Sequence, residues 1–456
     1  MLNIPQPMTD WLVAQLTIDN PLFLEAVKHG RYIKNIPPSL KMYKLLQTGI
    51  VIPRGYLQLL EDIMIGRGLD LTIVDNRVLL PPVSYKFEAK LTPYQVIARF
   101  KLLTHPNGML IAPAASGKTV IGLNLVATLR QPTLWLTHTK RLAKQVIDRI
   151  VGSEEHPPIF SDIDRKEIGL IGMGKNKIGE RITIGMIPTL ARNEEFLLEN
   201  GKKFGLIILD EAHHAPASTF TKVLTYLSSY YLYGLTATPY RRDKLEELMF
   251  ACIGQGNAIV QRREVKKQGR IITPSVKPRI VPMPVVESND YHEIISEVVL
   301  PAEHRKNLIT NDVIREARRG SYCIVISTRK SYCEDLFKKI FEYWSKTVIA
   351  TGDYTQKHND EQVKKIEGDE ATVLITTFEL LGEGFDVPKL NRAFLALPFR
   401  EKARVEQMVG RIQRTTSGKE DAIIYDYIDA NIGILNNQYL SRLAVYKSLG
   451  MPILEE

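Results

Sequence analysis

The sequence predicts an α/β fold in which two parallel-sheet domains, each with helices on both faces, follow a small α/β domain. Short apolar runs of the strand type alternate with amphipathic helical stretches, the arrangement that βαβ units produce. These runs form two series, one for each sheet. The first series covers residues 109–112, 133–137, 181–185, 206–210 and 232–236, and the second covers residues 322–327, 347–350, 372–376, 392–396 and 422–427.

Three domains fit the length of 456 residues, which is too long for one hydrophobic core. A basic, proline-bearing stretch from Arg262 to Pro284 lies between the two series and predicts a linker. We place the domains at residues 1–85, 86–272 and 273–456. Within the first domain, the sequence predicts a turn at 52–55, a helix over 56–66 and a strand pair at 69–74 and 77–80.

The composition is that of an ordinary soluble protein, with 44% hydrophobic and 24% charged residues. Residues 1–20 lack the charged-then-apolar order of a secretion signal, and no apolar run approaches the ~18 residues that span a bilayer. We therefore expect a cytoplasmic protein without membrane contact, in the host cytoplasm if the chain is viral. The net charge of +9 favours a polyanionic partner.

The three cysteines, Cys252, Cys323 and Cys333, are odd in number and form no close CxxC pair. This argues against a disulfide framework or a zinc ribbon and fits a reducing compartment. We expect all three to be buried as small apolar side chains.

The strongest local pattern is Ala112-Pro113-Ala114-Ala115-Ser116-Gly117-Lys118-Thr119, which follows a predicted strand and opens a predicted helix over 119–129. This context is typical of a phosphate-binding loop, in which backbone N–H groups hold the phosphates of ATP. Lys118 is then predicted to contact the β- and γ-phosphates, and the Thr119 hydroxyl to ligate Mg²⁺. The alternative is a plain strand–turn–helix with a surface lysine.

Two alanines depart from the usual form of this loop. Ala112 and Ala115 stand at positions where glycine is common. Because alanine disfavours positive φ angles, we expect right-handed backbone angles at this turn.

A second pattern, Phe204-Gly205-Leu206-Ile207-Ile208-Leu209-Asp210-Glu211-Ala212-His213, places two carboxylates at the end of an apolar strand. Asp210 is predicted to hold Mg²⁺, and Glu211 to deprotonate the attacking water. His213 and His214 lack a third spaced ligand, which disfavours zinc, and His213 is assigned to coupling instead. The order and spacing of the two patterns in one α/β domain predict an ATPase.

With these motifs the chain resembles the superfamily-two helicases, which implies two RecA-like P-loop domains. The resemblance covers residues 86–430 and implies adenine recognition by Gln95, coupling by Thr236 and Thr238, and nucleotide contacts by Gly384 and Asp386. It also implies catalytic roles for Gln407, Arg411 and Arg414 in Gln407-Met408-Val409-Gly410-Arg411-Ile412-Gln413-Arg414. Contacts to the nucleic-acid backbone are assigned to Thr137, Lys140, Arg141, Thr189, Thr328, Arg329 and Thr377.

Arg411 and Arg414 lie three residues apart on a predicted helix, and therefore on one helical face. Planar guanidinium groups in such a position can stabilise the charge that develops on the γ-phosphate. The alternative is a solvated basic stripe, because Arg400, Lys402 and Arg404 are close in sequence. The resemblance further implies that ATP binds in the cleft between the two domains, and that closure of the cleft drives steps along a strand.

The Asp-Glu-Ala-His box followed by Thr236-Ala237-Thr238-Pro239-Tyr240-Arg241-Arg242 resembles the DNA repair and recombination branch of these helicases. The front domain is similar to that of phage UvsW-type branch-migration helicases, such as those of T-five-type coliphages, and of their XPB-like relatives. This implies a monomer that acts on single-stranded, duplex and branched DNA, with duplex DNA held by the front domain. The alternatives are an RNA helicase, the DNA-translocating motor of a restriction system, and a switch ATPase.

Overall fold

The computed structural model describes residues 5–28, 30, 32–33, 36–68, 72–153, 156–211, 217–237, 246–254, 256–286, 288, 290–382 and 387–455. The chain divides into two compact units, Met1–Arg262 and Arg263–Glu456. In the described part of the chain, none of the helices combines the length and apolarity that crossing a bilayer requires.

The first unit contains two small antiparallel strand pairs and one eight-stranded sheet. Its strands are β1 Thr17–Asp19, β2 Ser39–Lys41, β3 Lys44–Leu46, β4 Gly49–Val51, β5 Asn107–Ile111, β6 Thr133–Thr137, β7 Gly169–Gly172, β8 Lys175–Lys177, β9 Ile182–Met186, β10 Leu206–Asp210, β11 Tyr231–Thr236 and β12 Gly256–Ile259. Its helices are α1 Gln6–Gln15, α2 Pro21–Lys28, α3 Leu57–Gly66, α4 Pro93–Leu103, α5 Lys118–Leu129, α6 Lys140–Val151, α7 Ile187–Leu190, α8 Glu194–Asn200, α9 Ala217–Thr225 and α10 Glu246–Ile253.

The large sheet has the strand order β12-β5-β11-β10-β6-β9-β7-β8 and is parallel except at β8. Every residue of β6, β9 and β10 is buried. A strand covered on both faces needs apolar side chains on both, which explains the continuous apolar runs in the sequence.

The second unit contains a six-stranded parallel sheet of order β13-β18-β17-β14-β16-β15. Its strands are β13 Ser275–Ile280, β14 Cys323–Ser327, β15 Thr347–Ala350, β16 Val373–Thr377, β17 Arg392–Leu395 and β18 Ile423–Ile428. Its helices are α11 Arg262–Lys267, α12 Tyr291–Glu293, α13 Glu303–Arg318, α14 Lys330–Tyr343, α15 Gln356–Glu367, α16 Phe378–Gly382, α17 Lys402–Ile412 and α18 Gly433–Ser448, and one π-helical segment spans Ile294–Val299.

All ten predicted strands of the two large sheets are present, with ends shifted by no more than two residues. The α/β fold class is therefore confirmed. The three cysteines are free and buried, as expected.

The strand pair predicted at 69–74 and 77–80 is wrong for the residues that the structure describes. Val78 instead forms a parallel bridge with Ser229 at the large sheet. The Val78 N–H donates to Ser228 O at 2.6 Å, and the Tyr230 N–H donates to Val78 O at 2.9 Å. Val78, one of the apolar residues that predicted a local hairpin, thus pairs with a distant segment. The antiparallel pairs of this region are β1–β2 and β3–β4.

A buried ion pair fixes the last helix of the second unit to its sheet. The Arg442 guanidinium donates to both oxygens of Asp426, at 2.9 and 2.7 Å, and both side chains are 1% exposed. Tyr446 Oη donates to Asp426 at 2.9 Å. Arg442 also donates to Phe399 O at 2.6 Å, so the pair connects α18 to the segment that follows β17.

Arg442→Met should lower the free energy of unfolding by about 3–5 kcal/mol, because it leaves the Asp426 charge buried without its partner. Lys330→Met is the control, since its pair with Asp353 is about half exposed (49% and 56%) and should contribute under ~1 kcal/mol. Urea denaturation of both variants measures the difference. Equal losses in the two variants would contradict this account of the pair.

Candidate functional site

The strand order brings the predicted motifs to one edge of the first sheet. Strands β5, β11, β10, β6 and β9 are consecutive neighbours and run parallel. Their carboxyl ends therefore lie side by side, at the edge where open α/β sheets bind ligands. The segments at this edge are the phosphate loop after β5, Thr236 at the end of β11, Asp210 at the end of β10, and the residues that follow β6 and β9.

The phosphate loop makes its turn with left-handed backbone angles. Ala115 has φ +64° and Gly117 has φ +77°. The expectation of right-handed angles at Ala115 is therefore wrong. Alanine in this region costs about 1–2 kcal/mol, so contacts elsewhere in the loop must hold the conformation. Ala112 is buried, and its N–H donates to Thr236 O at 3.0 Å, which joins the loop to the coupling strand.

Helix α4 supplies contacts that hold the loop. Tyr94 Oη donates to Ser116 O at 3.0 Å, and Gln95 Nε2 donates to the same oxygen at 2.9 Å. Gln95 Oε1 accepts from the Thr92 N–H at 2.9 Å. A Cβ atom on Gly117 would lie 2.5 Å from Gln95 Nε2, so a side chain here would displace the Gln95 amide, and the positive φ favours glycine. The contact of Gln95 with adenine stays a prediction. The contact of Tyr94 with the loop was not predicted, because no sequence motif distinguishes this tyrosine.

The two carboxylates after β10 lie beside the lysine of the loop. Lys118 Nζ is 3.4 Å from Glu211 Oε1, and their side chains are 10% and 21% exposed. Trp135 Nε1 donates to Asp210 Oδ2 at 3.4 Å. Burial, with the adjacent Glu211 charge, raises the pKa of Asp210 to about 7, while Lys118 acts in the opposite direction. One cation thus faces two buried or half-buried carboxylates.

These residues fit a nucleotide with a divalent cation. The Ser116 hydroxyl is buried and has no hydrogen-bond partner in the part of the chain that the structure describes. The N-cap residue of α5 is Gly117, which has no side chain to cap the helix. The loop therefore leaves polar groups for phosphates, and the poorly compensated Asp210 carboxylate suits Mg²⁺, while ligation by Thr119 stays a prediction.

The nucleic-acid contacts predicted in the first unit differ in accessibility. Lys140 is exposed, and Arg141 and Thr189 are half-buried. Thr137 is fully buried at the end of β6, so its hydroxyl is not accessible to a phosphate in this conformation. The Thr139 hydroxyl accepts from the Leu142 N–H at 3.3 Å and caps α6. Lys140 on the first turn of this helix is the accessible group for a backbone phosphate.

In the second unit, Arg411 and Gln407 lie on α17, but Arg414 does not. Helix α17 ends at Ile412, so the shared helical face predicted for Arg411 and Arg414 is wrong. The chain leaves the helix because Gln413 O accepts from the Ile272 N–H at 2.8 Å, and Arg414 forms a bridge with Ile271. Lys419 Nζ ends the helix by donating to Ile412 O at 2.6 Å.

A basic pocket of about 300 Å³ opens at the carboxyl edge of the second sheet. Arg329 and Arg400 are exposed there and form no ion pair with any residue that the structure describes, whereas Arg404 pairs with Glu401 at 2.8 Å. Thr377 is buried, with the same consequence as for Thr137. The pocket is lined by Tyr291, Thr328, Arg329, Phe399, Arg400, Glu401, Arg404 and Gln438.

This pocket was not predicted, because its residues come from four segments that are far apart in the sequence. From the sequence, Arg400 and Arg404 were interpreted only as part of a solvated basic stripe. Lys402 does fit that alternative, since it is exposed and lies 3.6 Å from Glu406 one helical turn away. The predicted positions His213, Thr238, Gly384 and Asp386 lie outside the described residues.

Comparison with known families matches both units. Residues 88–241 match the model described as type III restriction enzyme, res subunit. Residues 305–416 match the model described as helicase conserved C-terminal domain. The chain is a superfamily-two helicase. It is accordingly an ATP-hydrolysing enzyme, as the phosphate loop and the acidic strand end predicted.

Three relatives are similar over most of this helicase. It is 25% identical over 378 residues to a protein of Acanthamoeba polyphaga mimivirus named as an ATP-dependent RNA helicase, covering 79% of this chain and 68% of that protein. It is 24% identical over 406 residues to helicase D10 of Escherichia phage T5, covering 85% and 82%. It is 24% identical over 379 residues to DNA 3'-5' translocase XPB2 of Sulfurisphaera tokodaii, covering 74% and 81%.

Two solved structures agree with the fold of the helicase. S. cerevisiae Dbp5 bound to RNA and ADP BeF3 has a TM-score of 0.56 at 16% identity, over 80% of this chain and 94% of that one. The Hef helicase domain of Pyrococcus furiosus has a TM-score of 0.52 at 14% identity, over 76% and 97%. Two RecA-like domains are therefore the architecture of this chain.

Gly117→Ala should lower ATP affinity about tenfold or more, the factor that ~1.4 kcal/mol gives. The added Cβ would displace Gln95 from the loop as well as strain the backbone. Gly174→Ala is the matched control, because Gly174 has φ +76° but no atom within 4 Å of its Cβ position. Calorimetric titration with ATP measures both variants. Equal affinity of the Gly117 variant and the wild type would contradict a phosphate-binding role for the loop.

Proposed function

We propose that this helicase acts on DNA and remodels branched DNA, such as forks and four-way junctions. The observation that carries the choice of DNA is the similarity to the DNA translocase XPB2 over 74% of the chain, together with the restriction-enzyme family match at 88–241. The Asp-Glu-Ala-His box and the Thr236-Ala237-Thr238-Pro239-Tyr240-Arg241-Arg242 segment support the same branch. The choice of branched DNA rests on the sequence resemblance to branch-migration helicases.

Hydrolysis follows from the groups at the edge of the first sheet. Lys118 binds the β- and γ-phosphates, and the loop N–H groups orient them. Glu211 accepts a proton from the attacking water, and Lys118 Nζ lies 3.4 Å from its Oε1. Asp210 and Thr119 hold Mg²⁺, which when bound neutralises charge on the phosphates. We assign transition-state stabilisation to Arg411 and Arg414, and coupling to Thr236.

The nucleic-acid strand is bound by its phosphates. Lys140 in the first unit and Arg329 and Arg400 in the second are exposed cations near the carboxyl edges of their own sheets. Such contacts read charge and not sequence, which suits a motor that advances over any base. Tyr291 in the pocket is half-buried and adds a face on which a base can stack.

The rival function is an RNA helicase, and the relative named as an ATP-dependent RNA helicase favours it. ATP hydrolysis with no polynucleotide, single-stranded DNA, duplex DNA, a four-way DNA junction and RNA separates the two. We expect the strongest stimulation with the junction. Strongest stimulation by RNA would overturn the DNA proposal, and equal stimulation by linear duplex and junction would reduce it to a plain DNA translocase.

Glu211→Gln should abolish ATP turnover while leaving ATP and DNA binding intact, because the amide cannot accept a proton from water. The measurements are phosphate release and binding of a fluorescent DNA strand. Glu199→Gln is the control, a second Glu→Gln change at an exposed side chain on α8. Normal turnover by the Glu211 variant would remove this carboxylate from the role of base.

Arg400→Ala should weaken DNA binding uniformly across sequences and reduce the slope of log K against log salt by ~0.7–0.9, the change for one lost phosphate contact. Arg318→Ala is the matched control, since Arg318 is exposed at the end of α13, away from the pocket residues. Fluorescence anisotropy at several salt concentrations measures the slope. An unchanged slope would show that Arg400 belongs to the solvated stripe.

A further inference from the structure

Residues Arg54 and Gly55 join the accessory domain (residues 5–66) to the motor core of the first unit. They lie in a 3₁₀ turn, Arg54–Tyr56, that follows β4 and precedes α3. Arg54 Nη1 donates to Ser229 O and Nη2 donates to Tyr230 O, both at 3.0 Å. Burial lowers the pKa of Arg54 to about 10, as expected for a guanidinium enclosed in a contact. The two carbonyls immediately precede β11.

We call the contacts of Arg54 and Gly55 with the motor core the joint. Gly55 contributes to it through a contact with α10. A Cβ atom at Gly55 would lie 2.4 Å from Ala251 O and 2.7 Å from Phe250 O. The two backbones are therefore in direct contact, and only glycine fits between them. Ala251 also belongs to the buried cluster of the accessory domain, packed with Leu12 and Ile50. Packing and backbone contact thus fix α10 to the accessory domain, and the Arg54 hydrogen bonds fix the start of β11 to it.

The chain path makes this joint relevant to coupling. Strand β11 runs from the joint to Thr236 at the nucleotide edge, and α10 is the next described helix along the chain. The residues between them include the predicted coupling motif Thr236-Ala237-Thr238. Both elements that flank this motif therefore contact the accessory domain at one place. The bridge between Val78 and Ser229 brings the connecting segment to the same place.

The charge of the accessory domain argues against phosphate binding as its main role. Residues 5–66 contain six Lys and Arg against five Asp and Glu, so almost all of the chain's net charge of +9 resides outside this domain. A domain without excess positive charge gains little from contact with a polyanion. Its firm attachment to β11 and α10 points to a mechanical role instead.

We propose that Arg54 and Gly55 are positioning residues that transmit movement of the coupling motif to the accessory domain, so that ATP hydrolysis is converted into strand separation. The proposal rests on the helicase activity of the chain and not on its preference for branched DNA. Movement of either flanking element shifts the accessory domain, because Arg54 binds the carbonyls next to β11 and the Gly55 backbone touches α10.

The test is strand separation per ATP hydrolysed, on a duplex with single-stranded tails made from the polynucleotide that stimulates ATPase most. Gly55→Ala should keep stimulated ATPase within about twofold and lower separation per ATP about tenfold or more, a coupling change of the usual size. Gly66→Ala is the matched control in the same domain, because no atom lies within 4 Å of its Cβ position. It should behave as the wild type.

Arg54→Met tests the joint without a steric clash, and Arg67→Met, which alters an exposed side chain, is its control. Arg54→Lys should restore part of the separation per ATP, since it can still donate to one carbonyl. Unchanged separation per ATP in both Gly55→Ala and Arg54→Met would overturn the proposal. A parallel loss of ATPase and separation would also overturn it, because the joint would then only stabilise the motor. The choice of polynucleotide tests the proposed substrate separately.

Discussion

The arrangement of the first unit depends on one electrostatic contact. Two carboxylates, Asp210 and Glu211, follow the buried strand β10 beside the ammonium group of Lys118. Asp210 is buried and carries a raised pKa, and Lys118 is the cation beside its neighbour Glu211. This arrangement requires β5 and β10 to lie on either side of β11, so that the loop after one strand meets the carboxylates after the other. It also leaves a negative charge that a divalent cation can compensate.

The same sheet connects the nucleotide edge to the accessory domain at its other end. Strand β11 ends at Thr236 beside the phosphate loop and begins next to the carbonyls that Arg54 binds. In the second unit, charged side chains have two separate roles. Buried pairs such as Arg442–Asp426 fix helices to the sheet, whereas Arg329 and Arg400 stay exposed at its carboxyl edge. The buried ion pairs thus hold the second unit together, and the exposed arginines can bind a ligand.

Strands buried on both faces could be predicted well from the sequence. The runs at β6, β10 and β15 were predicted to the residue, because continuous apolar stretches bounded by polar turns have few other structures available. Strands β1 to β4 could not be predicted, since each has three residues and three of the four contain no buried residue. The Val78 bridge depends on a partner 151 positions away, which no local pattern reveals.

In the candidate site, too, local patterns predicted some features, and features set by distant contacts were missed. Lys118, Asp210 and Glu211 follow from motif order and strand ends. The φ of Ala115 and the exit of Arg414 from α17 do not, because each depends on a contact with another segment: Gln95 and Tyr94 on the loop, Ile271 and Ile272 beside the helix end. Arg54 appeared only as part of a turn, since its partners are the backbone carbonyls of Ser229 and Tyr230.

We propose that the Asp210 carboxylate holds the cation of a bound nucleotide. Calorimetric titration of ATP with and without Mg²⁺, on the wild type and Asp210→Asn, measures this role. Mg²⁺ should strengthen ATP binding to the wild type, and Asp210→Asn should lose this gain while it binds metal-free ATP at least as well. If Asp210→Asn kept the full Mg²⁺ dependence, the cation would be held by other groups.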